Sequence, residues 1–221
     1  MGYMNSAATL EQVLDSPEFP MVLSELTSVL DEERKTRERF YEEITDSEKA
    51  EFINGKVFVH SPARLKHTRI VQYVVHLLDH YCHKHGLGVV LSEKSLVCLT
   101  RNDYEPDVIF YGKEKARELT RETLKFPAPD LVVEILSEST QRHDRGVKYK
   151  DYALHGVREY WIIDPDAETV EVHELTGSEY RLRVKIAEGQ LRSQVIEGFE
   201  IPMRAMFDAE ENRKAMRKLL V

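Results

Sequence analysis

Residues 130–136, DLVVEIL, constrain the fold more than any other part of the sequence. Apart from its acids the run is apolar at every position, as expected for a strand that is covered on both faces. Such a strand lies inside a sheet with helices packed against it. Glu134 lies within the run, and a buried charge is costly unless it is paired or bound to a cation. The segment therefore predicts an interior strand whose acid has a partner.

The remaining patterns predict a mixed α/β fold with one sheet flanked by helices. Asn54-Gly55, between two apolar runs, predicts a hairpin turn. A helix is predicted over 63–85, where Gly86 and Gly88 end it. The other predicted strands are 89–99 (one strand or two), 107–111, 158–164, 169–174, 179–186 and 191–196, and the other predicted helices are 24–41, 139–155 and 203–220.

The length of 221 residues allows one sizeable core and is too short for two full domains and a linker. We expect an N-terminal helical extension (1–41), a main domain (42–205) and a C-terminal helix (206–221). No apolar run approaches the ~20 residues that span a bilayer, and the first residues lack a secretory signal pattern. Only two cysteines, Cys82 and Cys98, occur, and we expect both to be reduced. These features predict a cytoplasmic protein with no membrane association.

The formal net charge of −8 argues against a simple non-specific nucleic-acid binder, which usually has a basic surface. It does not exclude a nuclease, because a carboxylate site contributes negative charge until metal binds. Asp107 opens a predicted strand directly after Pro106, 27 positions before Glu134. If the two strands are neighbours, both carboxylates converge on one point and suit Mg²⁺ or Mn²⁺. The alternative is a buried salt bridge, for example between Glu134 and an arginine.

Lys148 lies in the predicted helix after the Glu134 strand and shares a helix face with Asp144. A lysine there can orient an attacking water or stabilise charge on a phosphate. The alternatives are a surface lysine, with Lys150 as a competitor, and an ordinary ion pair with Asp144. Arg142 and Arg145 make the segment locally basic, and a backbone phosphate is a reasonable partner for it.

Two further polar residues, His67 and Glu51, have ordinary structural explanations. His67 lies on the apolar face of the predicted helix 63–85, where a lone histidine is more often a hydrogen-bonded core residue than a catalyst. Glu51 precedes the hairpin turn and is expected to be a surface acid or a hairpin-pairing acid.

Taken in order, these motifs resemble the Uma-two family of restriction endonucleases, a branch of the PD-(D/E)XK nuclease superfamily. The resemblance covers roughly residues 42–205. The motifs are Glu51-Phe-Ile-Asn-Gly-Lys, His67, Glu105-Pro-Asp107-Val, Ala128-Pro-Asp-Leu-Val-Val-Glu134-Ile-Leu-Ser137, and the series Asp144, Lys148, Tyr152 and Gly156 to Pro165.

The resemblance implies a restriction-endonuclease-like fold, with a mixed central sheet flanked by helices. It implies a metal site formed by Asp107, Glu134 and the backbone carbonyl of Ile135, which takes Mg²⁺ or Mn²⁺. The superfamily pattern has a lysine two residues after the second acid, where this chain has Leu136. Lys148 matches the lysine that the family recruits from the next helix. The resemblance also implies supporting roles for His67, Glu51 and Asp144.

The function that the resemblance implies is metal-dependent hydrolysis of DNA phosphodiester bonds by an endonuclease. Many relatives of this fold dimerise to cut both strands, so a homodimer is expected. Two alternatives stay open: a catalytically silent binding or regulatory module that keeps the fold, and a hydrolase of small phosphoesters that uses the same metal site. A positive groove favours DNA over a small molecule.

Overall fold

The computed structural model describes residues 6–45 and 47–220, so residues 1–5 and 221 of the two predicted terminal segments lie outside it. Its helices are α1 (Ser6–Leu14), α2 (Phe19–Glu43), α3 (Leu65–His85), α4 (Lys113–Ala116), α5 (Gln141–Asp144), α6 (Val147–Leu154) and α7 (Ala209–Leu220), with a 3-10 helix at Met203–Met206. Its strands are β1 (Ala50–Ile53), β2 (Lys56–Val59), β3 (Gly88–Ser92), β4 (Leu96–Cys98), β5 (Asp103–Tyr104), β6 (Val108–Gly112), β7 (Lys125–Phe126), β8 (Leu131–Ile135), β9 (Glu159–Asp164), β10 (Thr169–Thr176), β11 (Glu179–Ile186), β12 (Gln190–Arg192) and β13 (Glu200–Pro202).

The larger sheet has six strands in the order β11-β10-β9-β8-β6-β3. It is mixed, because β8 and β9 are parallel whereas the other neighbours are antiparallel. The helices α5 and α6 connect β8 to β9, as a parallel pair requires. Every residue of β8 is buried. The predicted interior strand and the predicted mixed central sheet are both confirmed.

Alternate residues of the central strands enter two different cores. Val133 and Ile135 of β8 pack, together with Trp161, against side chains of α3 and α7. Val132 and Ile162 face the opposite side, where they pack against Tyr152 and other residues of α6 and the second sheet. Glu134 follows the same alternation, so it faces the second core.

A second sheet, in the order β2-β1-β5-β4-β7, contradicts the prediction of a single sheet. The cause is the segment 89–99, which forms two strands in different sheets: β3 pairs with β6, and β4 pairs with β5. Glu93 and Lys94 between them adopt left-handed φ values of 41° and 56°. Such values are uncommon for residues other than glycine, so the sequence gives little warning of this turn.

Two predicted helices differ from the structure. The helix predicted at 139–155 is broken into α5 and α6 by Gly146, where an added Cβ would lie 2.6 Å from the carbonyl oxygen of Arg142. Thr140 is the N-cap residue of α5, but its side chain does not cap the helix. The Thr140 hydroxyl instead lies 2.9 Å from the hydroxyl of Ser137. The helix predicted at 203–220 begins as the 3-10 helix, and α7 starts only at Ala209.

The hairpin predicted at Asn54-Gly55 is confirmed. Both residues have positive φ, at 50° and 80°, and they join the antiparallel strands β1 and β2. Two left-handed residues in succession match the turn type that fits twisted hairpin strands. An added Cβ on Gly55 would lie 2.7 Å from Cγ of Glu33 in α2, so the turn also requires a small residue for packing.

Helix α2 is fastened to the second sheet by its C-terminal half. Arg37 donates to both carboxylate oxygens of Asp103, and Phe40 packs against Phe52 of β1. Residues 23–32 of the same helix are exposed throughout.

Among the described residues, no helix is both long enough and apolar enough to cross a membrane.

Candidate active site

Asp107 and Glu134 lie beside each other at the ends of two adjacent strands. Val108 pairs with Val133 in the antiparallel β6–β8 ladder. Because the strands are antiparallel, Asp107, the residue before Val108, lies opposite Glu134, the residue after Val133. Residues that are directly opposite in such a ladder point to the same face with Cβ atoms ~5 Å apart. Both carboxylates are buried. The structure therefore brings the two predicted acids together.

Lys148 of α6 reaches Glu134, one member of this pair. Its Nζ lies 2.8 Å from Oε1 of Glu51, 3.0 Å from Oε1 of Glu134 and 3.1 Å from Oδ1 of Asp144. The side chain is only 2% exposed, which excludes the surface-lysine interpretation. Lys150 is exposed, so it does not compete for this position.

Glu51 is buried, so the expectation of a surface acid is wrong, although Glu51 does lie in the hairpin, where it pairs with Phe58 of β2. Strand β1 lies inside the second sheet, between β2 and β5, and Glu51 faces the second core rather than solvent. Its Oε1 accepts a hydrogen bond from the backbone N–H of Glu105 at 3.0 Å, and Nε2 of His60 lies 3.1 Å from its Oε2. Burial by itself would raise the pKa of Glu51, but Lys148 and His60 lower it to about 2.

The surroundings of Glu134 strongly raise its pKa. Its Oε1 accepts hydrogen bonds from Lys148 and, at 3.2 Å, from the hydroxyl of Tyr152. Burial raises the pKa of Glu134 to about 8; Lys148 opposes the rise, and the negative charges of Asp144, Asp107 and Glu51 add to it. The buried Asp144 carboxylate pairs with the Lys148 ammonium, which lies 3.1 Å from its Oδ1. Burial likewise raises the pKa of Asp144.

Asp107 is as deeply buried as Glu134, but its side-chain partners, Lys49 and His67, are more exposed than Lys148. Its Oδ1 lies 2.7 Å from Nζ of Lys49 and 3.3 Å from Nε2 of His67, and its Oδ2 accepts the backbone N–H of Ile135 at 2.8 Å. Burial would raise the pKa of this carboxyl, but Lys49 and His67 together hold it well below its usual range. His67 is thus hydrogen-bonded as expected of a core histidine, with the candidate metal ligand Asp107 as its partner.

Lys49 and His67 also line a cleft of about 580 Å³. The other walls are the segment leading into α3, the residues that follow β8 and the turn at Asp164–Asp166. Lys49 is a residue that sequence reasoning missed. Its one signal is that it stands two positions before Glu51, which places it just ahead of β1.

The acids of the site outnumber its permanent cations. Glu51, Asp107, Glu134 and Asp144 are four carboxylates, against the two ammonium groups of Lys49 and Lys148. Such an excess of buried negative charge favours uptake of a cation or of protons. Within the described part of the chain, no three histidine, cysteine, aspartate or glutamate side chains form a ready-made metal cluster.

The basic segment of α5 and α6 is only partly available to an external phosphate. Lys148 is buried, and Arg145 makes two hydrogen bonds to Glu171. Arg142 instead lines a shallower pocket of about 440 Å³ with Lys56 and His143, and the described residues of that lining include no acid. This cationic pocket shares no lining residue with the cleft, but the two meet in α5, where Gln141 lines the cleft and the next residue, Arg142, lines the pocket.

A mixed sheet with flanking helices, and two buried carboxylates on adjacent strands behind the Lys49 and His67 wall of a cleft, define a restriction-endonuclease-like α/β protein. The chain belongs to the Uma2 family, described as "Putative restriction endonuclease", which it matches over residues 37–204. The family expected from the sequence motifs is therefore confirmed.

A solved structure shares this fold. It is described as "a putative nuclease belonging to DUF820 from Anabaena variabilis", and it superposes with a TM-score of 0.65 at 19% sequence identity. The match covers 76% of this chain and 94% of the other. At this identity the likeness shows the fold alone. No curated protein sequence matches the chain significantly.

Proposed function

We propose that this protein is a divalent-metal-dependent endonuclease that hydrolyses phosphodiester bonds in DNA. The observation that carries the proposal is the pairing of the buried acids Asp107 and Glu134 on adjacent strands, next to a cleft that a substrate can enter. Membership of the Uma2 family supports the same reaction class.

The residues present fit a hard divalent cation such as Mg²⁺ or Mn²⁺. The excess of buried carboxylates calls for positive charge, and Oε2 of Glu134 receives no hydrogen bond from the described residues. Mg²⁺ commonly takes one or two protein carboxylates and keeps several waters, so a three-residue cluster is not required. Asp107 and Glu134 would hold the ion, with the carbonyl of Ile135 as a further ligand. When bound, such an ion supplies Lewis-acid polarisation of a phosphate and lowers the pKa of water.

The chain's own residues divide the remaining work. Lys148 holds the Glu134 carboxylate in place, together with the Tyr152 hydroxyl, and balances the charge of Asp144 and Glu51. Lys148 therefore belongs to the proposed catalytic group as the residue that positions Glu134. His67 orients Asp107 from the cleft side. Glu51 and Asp144 support the site by fixing the Lys148 ammonium.

The cationic pocket at Lys56, Arg142 and His143 supports DNA as the substrate, because it offers a second contact for backbone phosphates and its Arg142 directly follows Gln141 of the cleft wall. The cleft itself favours the second candidate, a hydrolase of small phosphoesters. Its lining has three lysine or arginine residues and three acids, so it carries no excess positive charge. A third possibility, a silent module, predicts metal binding without hydrolysis of either substrate.

We also propose that the protein acts as a homodimer, so that two sites cut the two strands. The exposed apolar side chains of α2, among them Leu23, Leu26 and Leu30, support an interface there, because a large exposed apolar patch usually marks an association site. Light scattering of the wild type and of Leu26→Glu tests this: a dimer that becomes a monomer in the variant is the expected result.

The central experiment is cleavage of supercoiled plasmid in Mg²⁺, in Mn²⁺ and in EDTA. Wild type is compared with Glu134→Gln and with Glu138→Gln, a matched control because Glu138 is an exposed acid of the same cleft. We expect metal-dependent cutting that falls at least a hundredfold in Glu134→Gln and stays within twofold in Glu138→Gln.

Bis(p-nitrophenyl) phosphate in the same buffers separates the two candidate substrates. Hydrolysis of this compound without plasmid cutting would contradict the endonuclease proposal and favour a hydrolase of small phosphoesters. No hydrolysis of either substrate, with Mn²⁺ binding intact by calorimetry, would identify the silent module. Equal cutting by wild type and Glu134→Gln would overturn the site.

A further inference from the structure

The two lysines of the site differ in their freedom to move. Lys148 is 2% exposed and touches three carboxylates, so its ammonium has no other position available. The Lys49 side chain is 27% exposed, and its Nζ bonds to one described partner, Oδ1 of Asp107, at 2.7 Å. It also lines the cleft of about 580 Å³. The Lys49 ammonium therefore has one described partner, and the adjacent cleft gives it room to move away from that partner.

Lys49 places its positive charge where a cation bound by Asp107 would be. We propose that the Lys49 ammonium and the divalent cation exclude each other at Asp107, and that the displaced lysine then contacts an anionic phosphate group in the cleft. The inference rests on the proposed function for its metal and for its substrate. It adds an exchange at Asp107 that makes Lys49, rather than the enclosed Lys148, the lysine that reaches the substrate.

Electrostatics favours exchange over joint occupancy. An ammonium and a divalent ion on one carboxylate would lie only a few ångströms apart, and in a partly buried site water screens their repulsion poorly. Lys49 can avoid that repulsion by rotating into the cleft, because its chain is flexible and already partly in solvent. Asp107 does not lose its fixed orientation in the process, since the backbone N–H of Ile135 and the His67 ring still hold it.

Metal binding tests the exchange directly, without a measurement of activity. The Mn²⁺ affinity of wild type, Lys49→Met, Lys49→Arg and Lys66→Met is measured by calorimetry and by electron paramagnetic resonance. Lys66 is the matched control, because it is a lysine of the same cleft whose partner is Asp166 rather than Asp107. We expect Lys49→Met to bind Mn²⁺ at least tenfold more tightly than wild type. Lys49→Arg keeps the charge and stays within threefold of wild type, as does Lys66→Met.

Unchanged or weaker binding in Lys49→Met, in protein whose circular dichroism matches wild type, would overturn the exchange. Equal tightening in Lys49→Arg would also contradict it, because loss of side-chain shape rather than of charge would then be the cause. If Mn²⁺ binds neither wild type nor Lys49→Met, the metal-dependent function and the exchange both fail. If Mn²⁺ binds both equally, only the exchange fails.

The phosphate contact needs a second readout. A fluorescein-labelled 20-base-pair duplex, followed by anisotropy in Ca²⁺, is the probe, and bis(p-nitrophenyl) phosphate as a competitor is the small-molecule arm. We expect Lys49→Met to weaken binding of the duplex or of the competitor at least fivefold while metal binding tightens. These opposite effects in one variant are not expected of a residue that only supports the fold. Unchanged binding of both ligands would show that the displaced lysine does not reach the phosphate.

Discussion

The site has an enclosed half around Lys148 and an open half around Asp107, and the charged groups of the two halves differ in their access to solvent. In the enclosed half, Lys148 is surrounded by Glu51, Glu134 and Asp144, with almost no access to solvent. In the open half, Asp107 meets Lys49 and His67 at the wall of the cleft. The enclosed half contributes fixed charges, whereas the open half offers a carboxylate whose cation can change.

The difference follows from the elements that supply each half. Strands β1 and β8 and helix α6 belong to the second core, where side chains pack closely and have few alternative positions. Lys49 comes from the residues just before β1, and His67 from the first turn of α3. Mutations in the enclosed half should therefore change mainly the free energy of unfolding of the protein. Mutations in the open half should change mainly its affinity for ligands.

The largest expected effect is that of Lys148→Met. Removal of the ammonium leaves three buried carboxylates without their common partner, which should cost about 3–5 kcal/mol of unfolding free energy. Urea unfolding in EDTA measures it. Lys150→Met, two positions away and exposed, is the control and should stay within about 0.5 kcal/mol. A loss below 1 kcal/mol in Lys148→Met would mean that the enclosed half is open to water.

The next effect is a pH dependence that belongs to the enclosed half. The pKa of Glu134 rises from 4.5 to about 8 on folding, so the folded state binds its proton more tightly. The stabilisation is complete below pH 4.5 and is lost as the pH rises through 8. Between pH 5 and 8 in EDTA, wild type should lose about 3–4 kcal/mol more than Glu134→Gln, by urea unfolding. Parallel curves for the two proteins would contradict a raised pKa.

The sequence predicts the central sheet well because its signals are local. An apolar run with an internal acid identified β8, and Asn54-Gly55 identified the hairpin. The second sheet could not be predicted, since it depends on a reversal at Glu93 and Lys94, which are not typical turn residues.

The errors in the site derive from that missing sheet. Glu51 was expected on the surface because a lone hairpin has an exposed face, and it is buried because β1 lies inside the second sheet. Lys49 has only one weak signal, its position two residues before Glu51: it lies in a polar stretch, and its contact with Asp107 spans 58 positions. Asp107 and Glu134 were identifiable because a charge in an apolar strand is informative by itself.

A smaller effect is expected from Tyr152→Phe, which removes one hydroxyl from the enclosed half. The hydroxyl donates to Oε1 of Glu134 at 3.2 Å, and loss of a buried hydrogen bond to a carboxylate should cost about 1–2 kcal/mol. Thermal and urea unfolding measure it. Tyr73→Phe, at a half-buried position of α3, is the control and should change stability by less than about 0.5 kcal/mol. Equal effects in the two variants would show that the Tyr152 hydroxyl has no special role.

The smallest effect on the metal-free protein is expected from Lys49→Met, at about 1 kcal/mol or less, because the Lys49 side chain is partly exposed and water from the cleft can replace its ammonium. Saturating Mn²⁺ should reverse the order. A tenfold tighter Mn²⁺ site adds about 1.4 kcal/mol to the stability of the variant relative to wild type. Melting curves in EDTA and in Mn²⁺ measure both terms. A Lys49→Met protein that loses as much stability as Lys148→Met, and regains none in Mn²⁺, would remove the distinction between the two halves.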